Sequence, residues 1–375
     1  MKIGVDVRLL SRPITGLGRY TLEMCRALSN IKDVTLYLYS PSPINNAVSG
    51  LESVTIRTHS WNNGLLRQLW SESYLPLWAK EDEIDVFWGP SHRLPRFLSS
   101  RIARVVTIHD LVWKLAKETM YPTTYFLEKI QMPVAVRKAD LIVADTYSTR
   151  DAVITEFDVK PQNISVIPLA ASNIQNIPSF DFLEKYDIDG LYFLFVSTLE
   201  PRKNLTRLLQ AYDSLPLSIK GKMKLVIVGG KGWGEVNLLD TITQLDLIEC
   251  VKVLGRVDDT VLATLYANAQ FLVMPSLYEG FGLPLVEAMS YGTPVLTANN
   301  SSMPEVAGNA GLLVDALDVE SIADGLQEMI TNNELRERLA KNAKLNASRF
   351  SWDESAKKLI TVFEKAIDLR KDKLA

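Results

Sequence analysis

The chain has 375 residues, 47% of them hydrophobic, enough material for the cores of two α/β domains of ordinary size. A net charge of −3 argues against nucleic acid as the main partner. Two cysteines far apart and three histidines without metal-ligand spacing argue against a disulfide framework and against a zinc cluster. Strand-like apolar runs then alternate with helical patterns, the signature of parallel α/β sheets. The opening Met1-Lys2-Ile3-Gly4-Val5-Asp6-Val7 reads as a strand and not as a signal peptide, and no apolar run approaches the length that spans a bilayer. A cytoplasmic protein is expected, touching the inner membrane at most from outside. In the first half, strands are predicted near Ile3–Val7, Thr35–Tyr39, Val54–Arg57, Val86–Trp88, Val105–His109, Leu141–Ala144 and Ile164–Ile167. The pattern restarts at Tyr192–Val196, Leu225–Val228, Val251–Leu254, Phe271–Met274, Val295–Thr297 and Leu312–Val314. Between the halves, Pro168 to Gly190 is rich in Ser, Asn, Asp and Pro and reads as a linker. After Asp315 the sequence is helical to the end. Its last helix, Trp352 to Leu369, carries apolar residues at 359, 360, 363 and 367.

Several motifs sit where a predicted strand ends, which is where open α/β sheets bind ligands. Gly16-Leu17-Gly18-Arg19-Tyr20 opens a helix; a dinucleotide fingerprint does not fit, because its third glycine would fall at Thr21. His109-Asp110 closes the strand Val105–Ile108. Glu200-Pro201-Arg202-Lys203-Asn204 places two cations beside a helix start, an anion site, with Asn204 as the expected N-cap. Gly229-Gly230-Lys231-Gly232-Trp233-Gly234 allows close backbone approach, and Trp233 reads as a packing residue. Arg93, Arg96, Arg101 and Arg104 lie among apolar residues, as does Arg67 between Trp61 and Trp70. Such mixtures fit an anionic membrane surface, or, more commonly, a solvated basic face over a packed core.

The densest signal is Ser276-Leu277-Tyr278-Glu279-Gly280-Phe281-Gly282-Leu283-Pro284-Leu285-Val286-Glu287-Ala288-Met289. It puts Glu279 in a glycine-broken loop and Glu287 in the first turn of a helix, with Pro284 suited to the first helical position and Gly292 and Pro294 stopping it after about two turns. The amides of Gly280, Phe281, Gly282 and Leu283 fall near a helix N-terminus, which favours anions. Free amides and two carboxylates suit a ligand with phosphates and hydroxyls, such as a sugar nucleotide.

This stretch resembles the Glu-x7-Glu motif of the retaining glycosyltransferases of family 4. The resemblance implies the GT-B fold: two Rossmann-like domains facing a deep cleft, residues 1–172 for the acceptor and 190–352 for the nucleotide sugar, with a C-terminal helix 353–375 crossing back to the first. It implies that Glu287 binds the ribose and that Glu279, with Phe281 and Gly282, holds the sugar. It further implies that Arg202 and Lys203 neutralise the diphosphate, that His109 faces the sugar, and that Gly16, Gly18, Gly229, Arg256, Val257 and Leu283 lie near the donor. No metal and no cofactor is implied. The opening Gly-Val-Asp-Val-Arg, Gly-Leu-Gly-Arg-Tyr and Thr-Ile-His-Asp-Leu are similar to the bacterial mannosyltransferase-like branch that builds O-antigen and capsule. That branch implies GDP-mannose as donor and a lipid-linked or oligosaccharide acceptor. The alternatives are a UDP-sugar donor (GalNAc, glucose or galactose), a GT-B-fold epimerase of UDP-amino sugars, and a catalytically silent binding protein.

Overall fold

A computed structural model describes residues 1–45, 50–51, 54–61, 63–172, 180–234 and 238–374. All thirteen predicted strands are present in it, in two all-parallel sheets that belong to two compact units. Valine-, isoleucine- and leucine-rich runs make strands that can be buried on both faces, which parallel sheets require.

The first unit comprises Met1–Leu111, Phe126–Leu169 and Ser351–Ala375. Its strands are β1 (Lys2–Asp6), β2 (Thr35–Ser40), β3 (Thr55–Thr58), β4 (Val86–Gly89), β5 (Ala103–Ile108), β6 (Leu141–Ala144) and β7 (Ile164–Val166), in the spatial order β3-β2-β1-β4-β5-β6-β7. The C-terminal helix Trp352–Asp372 packs in this unit, against the helix Gly16–Ser29 and β5. Ser351 caps it by accepting from the Glu354 amide. Its buried stripe is Leu359, Val362, Phe363 and Ala366, and the Phe363 ring lies 6.2 Å from Trp88. Ser355 donates to the Pro168 carbonyl at 2.7 Å, and Arg370 and Lys373 both hold the buried Asp140. The crossover implied by the resemblance is therefore anchored by apolar and ionic contacts at several turns.

The second unit comprises Val112–Tyr125 and Ala170–Phe350. Its strands are β8 (Tyr192–Val196), β9 (Lys224–Val228), β10 (Val251–Gly255), β11 (Leu272–Met274), β12 (Val295–Ala298) and β13 (Gly311–Val314), in the order β10-β9-β8-β11-β12-β13. Phe193, stacked on Phe271 at 5.0 Å, anchors the core beneath. Residues 112–125 lie early in the chain yet pack here, where Val112 and Ala116 meet Tyr278 and the Trp233 indole donates to the Thr119 carbonyl at 2.9 Å. Of the expected linker, 173–179 lies outside the described residues, while Phe180–Tyr186 forms a 3-10 turn with Leu183 fully buried.

Candidate active site

In the second sheet, chain order reverses between β8 and β11, and the loops leaving the C-terminal ends of those two strands carry the predicted charged motifs. Reversal points of this kind open a crevice at the strand ends. The Leu277 amide donates to the Arg202 carbonyl at 2.8 Å and joins the two loops. Arg202 then donates through Nη1 to the Tyr278 carbonyl at 2.7 Å and to Glu279 Oε2 at 2.8 Å, and through Nη2 to Glu200 Oε1 at 2.8 Å. Lys203 Nζ donates to Glu279 Oε1 at 2.6 Å. The Glu279 backbone is fixed by Ser301 Oγ, which accepts from its amide at 3.1 Å, and by Ser302 Oγ, which donates to its carbonyl at 3.0 Å. Burial works against the Glu279 charge, but Arg202 and Lys203 overcome it and bring the carboxyl down to about 2. Burial, and then the neighbouring Arg202, pull the Lys203 ammonium below its ordinary value. Three of the predicted site residues thus form one cluster, Glu279 buried and Arg202 and Lys203 half-buried.

Other details depart from the expectations. Asn204 does precede the helix Leu205–Ser214, but it sits in the left-handed region (φ 63°) and makes no cap hydrogen bond. Its amide instead donates to the carbonyls of Pro275 and Ala316, so it ties the loops together. The helix after the Glu279 loop runs Leu283–Ser290, which makes Leu283 its first residue and Pro284 its second. Glu287 is therefore in the second turn; it is half-buried and accepts from the Tyr266 hydroxyl at 2.8 Å. Gly282 is the N-cap at φ 89°, a conformation that favours glycine. Phe281 is buried, edge-on to Phe350. Gly229 is explained by packing: a Cβ there would lie 1.6 Å from the Ser197 carbonyl oxygen. Arg256 is exposed and Val257 half-buried just beyond β10.

In the first sheet, the reversal lies between β1 and β4. His109 follows β5 and is buried, with Nδ1 2.5 Å from Asp145 Oδ2 and Nε2 2.7 Å from the Pro90 carbonyl. Both ring nitrogens are thus engaged inside the unit. The His109 amide donates to His92 Nε2 at 3.0 Å, and His92 Nδ1 lies 3.2 Å from Glu128. The accepting Nε2 fixes His92 as the Nδ1–H tautomer, a donor to Glu128. Sequence reasoning missed His92, Glu128 and Asp145; the Gly89-Pro90-Ser91-His92 turn after β4 was the signal for the first. Gly16 and Gly18 are not a turn but the first residues of the helix Gly16–Ser29. Neither has positive φ, and a Cβ on Gly16 would meet nothing within 4 Å. Among the described residues, no helix is long and apolar enough to cross a membrane.

The model of a family described as "Glycosyl transferases group 1" matches residues 181–346, and that of "Glycosyltransferase Family 4" matches residues 14–171. The chain is 31% identical to the O-antigen chain mannosyltransferase B of Escherichia coli, over 97% of this chain and all of that one. It is 26% identical to the O-antigen chain mannosyltransferase RfbU of Salmonella typhimurium, over 84% of this chain and 88% of that one. Its fold matches that of Anabaena HepE, solved in complex with UDP and glucose, with a TM-score of 0.75 at 20% identity over 97% of this chain and the whole of the other. With two parallel Rossmann-like sheets, both domain models matched and a relative aligned from end to end, the chain belongs to glycosyltransferase family 4 and is a glycosyltransferase of the GT-B fold.

Proposed function

We propose that this enzyme is a retaining hexosyltransferase that moves mannose from GDP-mannose to a lipid-linked glycan in bacterial surface polysaccharide synthesis. The observation that carries the reading is the pair of cations, Arg202 and Lys203, both closed on Glu279 where the sheet order reverses. A site that holds a carboxylate between two cations is built for an anion, and a diphosphate is a stronger one. In this reading the diphosphate takes over Arg202 and Lys203, and the carboxylate oxygens of Glu279 turn to the sugar hydroxyls. The Glu287 carboxylate, oriented by Tyr266, accepts from the ribose. The glycines and amides around Gly282 and Leu283, with Gly229, Arg256 and Val257, form the remaining donor surface. As the bond to C1 breaks, charge grows on the leaving phosphate, and fixed cations in a buried site stabilise it without reorganising. No metal is required in this scheme.

The names of the Escherichia and Salmonella relatives support mannose and an O-antigen acceptor. A UDP-sugar donor is the second reading, favoured by the UDP and glucose bound in the Anabaena protein. Thermal shift with GDP-mannose, GDP, UDP-glucose, UDP-galactose and UDP-GalNAc separates them. Stabilisation by GDP and GDP-mannose alone is expected. Stabilisation by UDP compounds alone would replace the donor while keeping the reaction class. Release of nucleotide without any added acceptor, with an isomerised sugar, would point to an epimerase instead.

A further inference from the structure

The first unit carries an aromatic cluster at the outer edge of its sheet. β3 is the edge strand, beside β2 and two strands out from β1. Beyond the end of β3 the chain keeps following β2: the His59 amide donates to the Ser40 carbonyl at 3.2 Å and the Trp61 amide to the Pro41 carbonyl at 2.8 Å. His59 and Trp61 therefore sit at the end of the sheet where open α/β folds bind ligands. The helix Tyr74–Glu81 meets them there. Ring centroids are 4.6 Å apart for His59 and Trp61, 5.3 Å for His59 and Tyr74, and 5.1 Å for Trp61 and Tyr74, the last pair edge-on. Trp78, one turn on from Tyr74, backs the group at 6.4 Å. It rests in turn on the fully buried Tyr39 and Trp70, 6.2 Å from each. The outer rings are thus held by inner ones, and aromatic side chains have few torsions to freeze on binding.

This surface is open. Tyr74 is 40% exposed, and His59, Trp61 and Trp78 are half-buried. The polar edges of these rings are unspent, although packed indoles and phenols usually find a partner. Among the described residues, the indole N–H groups of Trp61 and Trp78 and the Tyr74 hydroxyl have no hydrogen-bond partner. His59 Nδ1 accepts from the Ser60 amide at 2.9 Å, which leaves Nε2 as an N–H donor. Arg57 on β3 is spent on Glu81 and Asp82, and no ring of the cluster carries a permanent charge. Apolar ring faces edged by free donors match a ligand with apolar C–H faces, many hydroxyls and no charge of its own. A chain of pyranose rings has that character.

We infer that this cluster is a distal glycan subsite. Sugar rings behind the growing end of the acceptor pack their C–H faces on Trp61 and Tyr74, and their hydroxyls bond to the indole N–H, the phenol and His59 Nε2. Strands in a sheet lie about 4.8 Å apart, so β3 is roughly 10 Å from β1, where the first sheet reverses. An oligosaccharide laid over the strand ends from that reversal to the sheet edge passes the cluster, whereas a single sugar at the reversal does not reach it. The inference rests on the reading that this enzyme extends a glycan. It adds that the glycan is held by more than its terminal sugar, and it is indifferent to which nucleotide brings the donor.

Calorimetry and tryptophan fluorescence of the full chain with α-linked mannotetraose, maltotetraose and free mannose test it. Wild type should bind at least one tetrasaccharide at least about tenfold more tightly than mannose. The variant Trp61→Ala/Tyr74→Ala should lose at least about tenfold of that binding. The variant Trp61→Phe/Tyr74→Phe, which keeps the rings and removes their polar edges, should lose about threefold. Wild-type affinity of each variant for GDP or UDP reports that it is folded. In transfer assays the alanine variant should raise KM for a tetrasaccharide acceptor by at least about tenfold, with kcat unchanged and KM for a single-sugar acceptor unchanged. Equal wild-type binding of tetrasaccharides and mannose, or variants that bind tetrasaccharide like wild type, would overturn the subsite. So would sedimentation with phospholipid vesicles that the alanine variant loses while its tetrasaccharide binding stays at the wild-type level, since that would make the cluster a lipid contact. Tetrasaccharide binding that depends on the cluster, in an enzyme that transfers no mannose from GDP-mannose, would uphold the subsite and overturn only the donor.

Discussion

His109 has an acceptor at each ring nitrogen, Asp145 at Nδ1 and the Pro90 carbonyl at Nε2, and only the imidazolium satisfies both. Burial opposes that charge, but Asp145, by its charge and its hydrogen bond, and the Pro90 carbonyl raise the pKa above the ordinary histidine value. A group whose pKa is raised on folding contributes its stability fully below its unfolded value, ~6.5, and loses it as pH rises through the folded value. His109→Ala should therefore cost about 3–5 kcal/mol at pH 6, because it strands the buried Asp145 charge. The difference in melting temperature between wild type and this variant should narrow as pH rises above ~6.5. A difference independent of pH would mean the imidazole is neutral. Glu279 behaves oppositely. Its pKa is depressed to about 2, so its contribution is present above the unfolded value and fades as pH falls toward 2. If the donor diphosphate competes with Glu279 for Arg202 and Lys203, Glu279→Gln should bind the free nucleoside diphosphate at least as tightly as wild type. It should still lose ~10²-fold in kcat, because the sugar loses its oriented carboxylate. Calorimetry and steady-state rates would show the split, and weaker diphosphate binding would remove the competition from the mechanism. Glu287→Ala should weaken nucleotide binding by about 1.5–3 kcal/mol without changing the fold, since the carboxylate is half-buried and Tyr266 loses only one acceptor.

Glycines divide into those that packing explains and those it does not. Gly229 meets the Ser197 carbonyl, so Gly229→Ala should force β8 and β9 apart at their ends and cost about 3 kcal/mol or more. Gly16 has open space and negative φ, so Gly16→Ala at the start of its helix should leave stability within about 0.5 kcal/mol. If a donor phosphate approaches that backbone, the same change should lower kcat/KM; unchanged kinetics would take Gly16 out of the site. The strands were readable because each is a short apolar run bounded by Gly, Pro, Asn or Asp, and the C-terminal helix because its 3.6-residue period survives to the end. The grouping of Val112–Tyr125 with the second unit was not readable, since Trp233 and Tyr278 meet it across more than a hundred residues. The left-handed Asn204 and the His92 tautomer were hidden for the same reason: each is set by carbonyls, amides or carboxylates brought in by tertiary structure. The cluster of Arg202, Lys203 and Glu279 was legible as three separate motifs; that they close on one another was not.

Both units are parallel sheets with a chain reversal, and in the second the loops bearing Arg202, Lys203 and Glu279 leave at the reversal. That arrangement gives the enzyme cations and carboxylates, and the proposed scheme assigns no side chain as the acceptor's base. In the proposed scheme Arg202 and Lys203 carry the charge that a divalent ion would otherwise supply, so EDTA should leave turnover largely unchanged. Complete loss, restored by Mg²⁺ or Mn²⁺, would contradict the metal-free scheme. The same inventory bears on stereochemistry. An inverting transfer needs a general base, opposite the leaving group, with a pKa near the working pH. Glu279 is held at about 2 by two cations, and both ring nitrogens of the buried His109 are committed to Asp145 and Pro90. Neither can take the acceptor proton efficiently. The strongest base to appear during the reaction is the leaving phosphate itself, whose charge grows as the bond to C1 breaks. A hydroxyl that gives its proton to that oxygen must approach from the leaving group's own face. The new bond then forms where the old one broke, and an α-linked donor should give an α-linked product. The one-bond C1–H1 coupling of the isolated product, read by NMR, distinguishes the anomers. A β product would require a base that this cluster lacks, and would remove Glu279, Arg202 and Lys203 from the roles proposed for them.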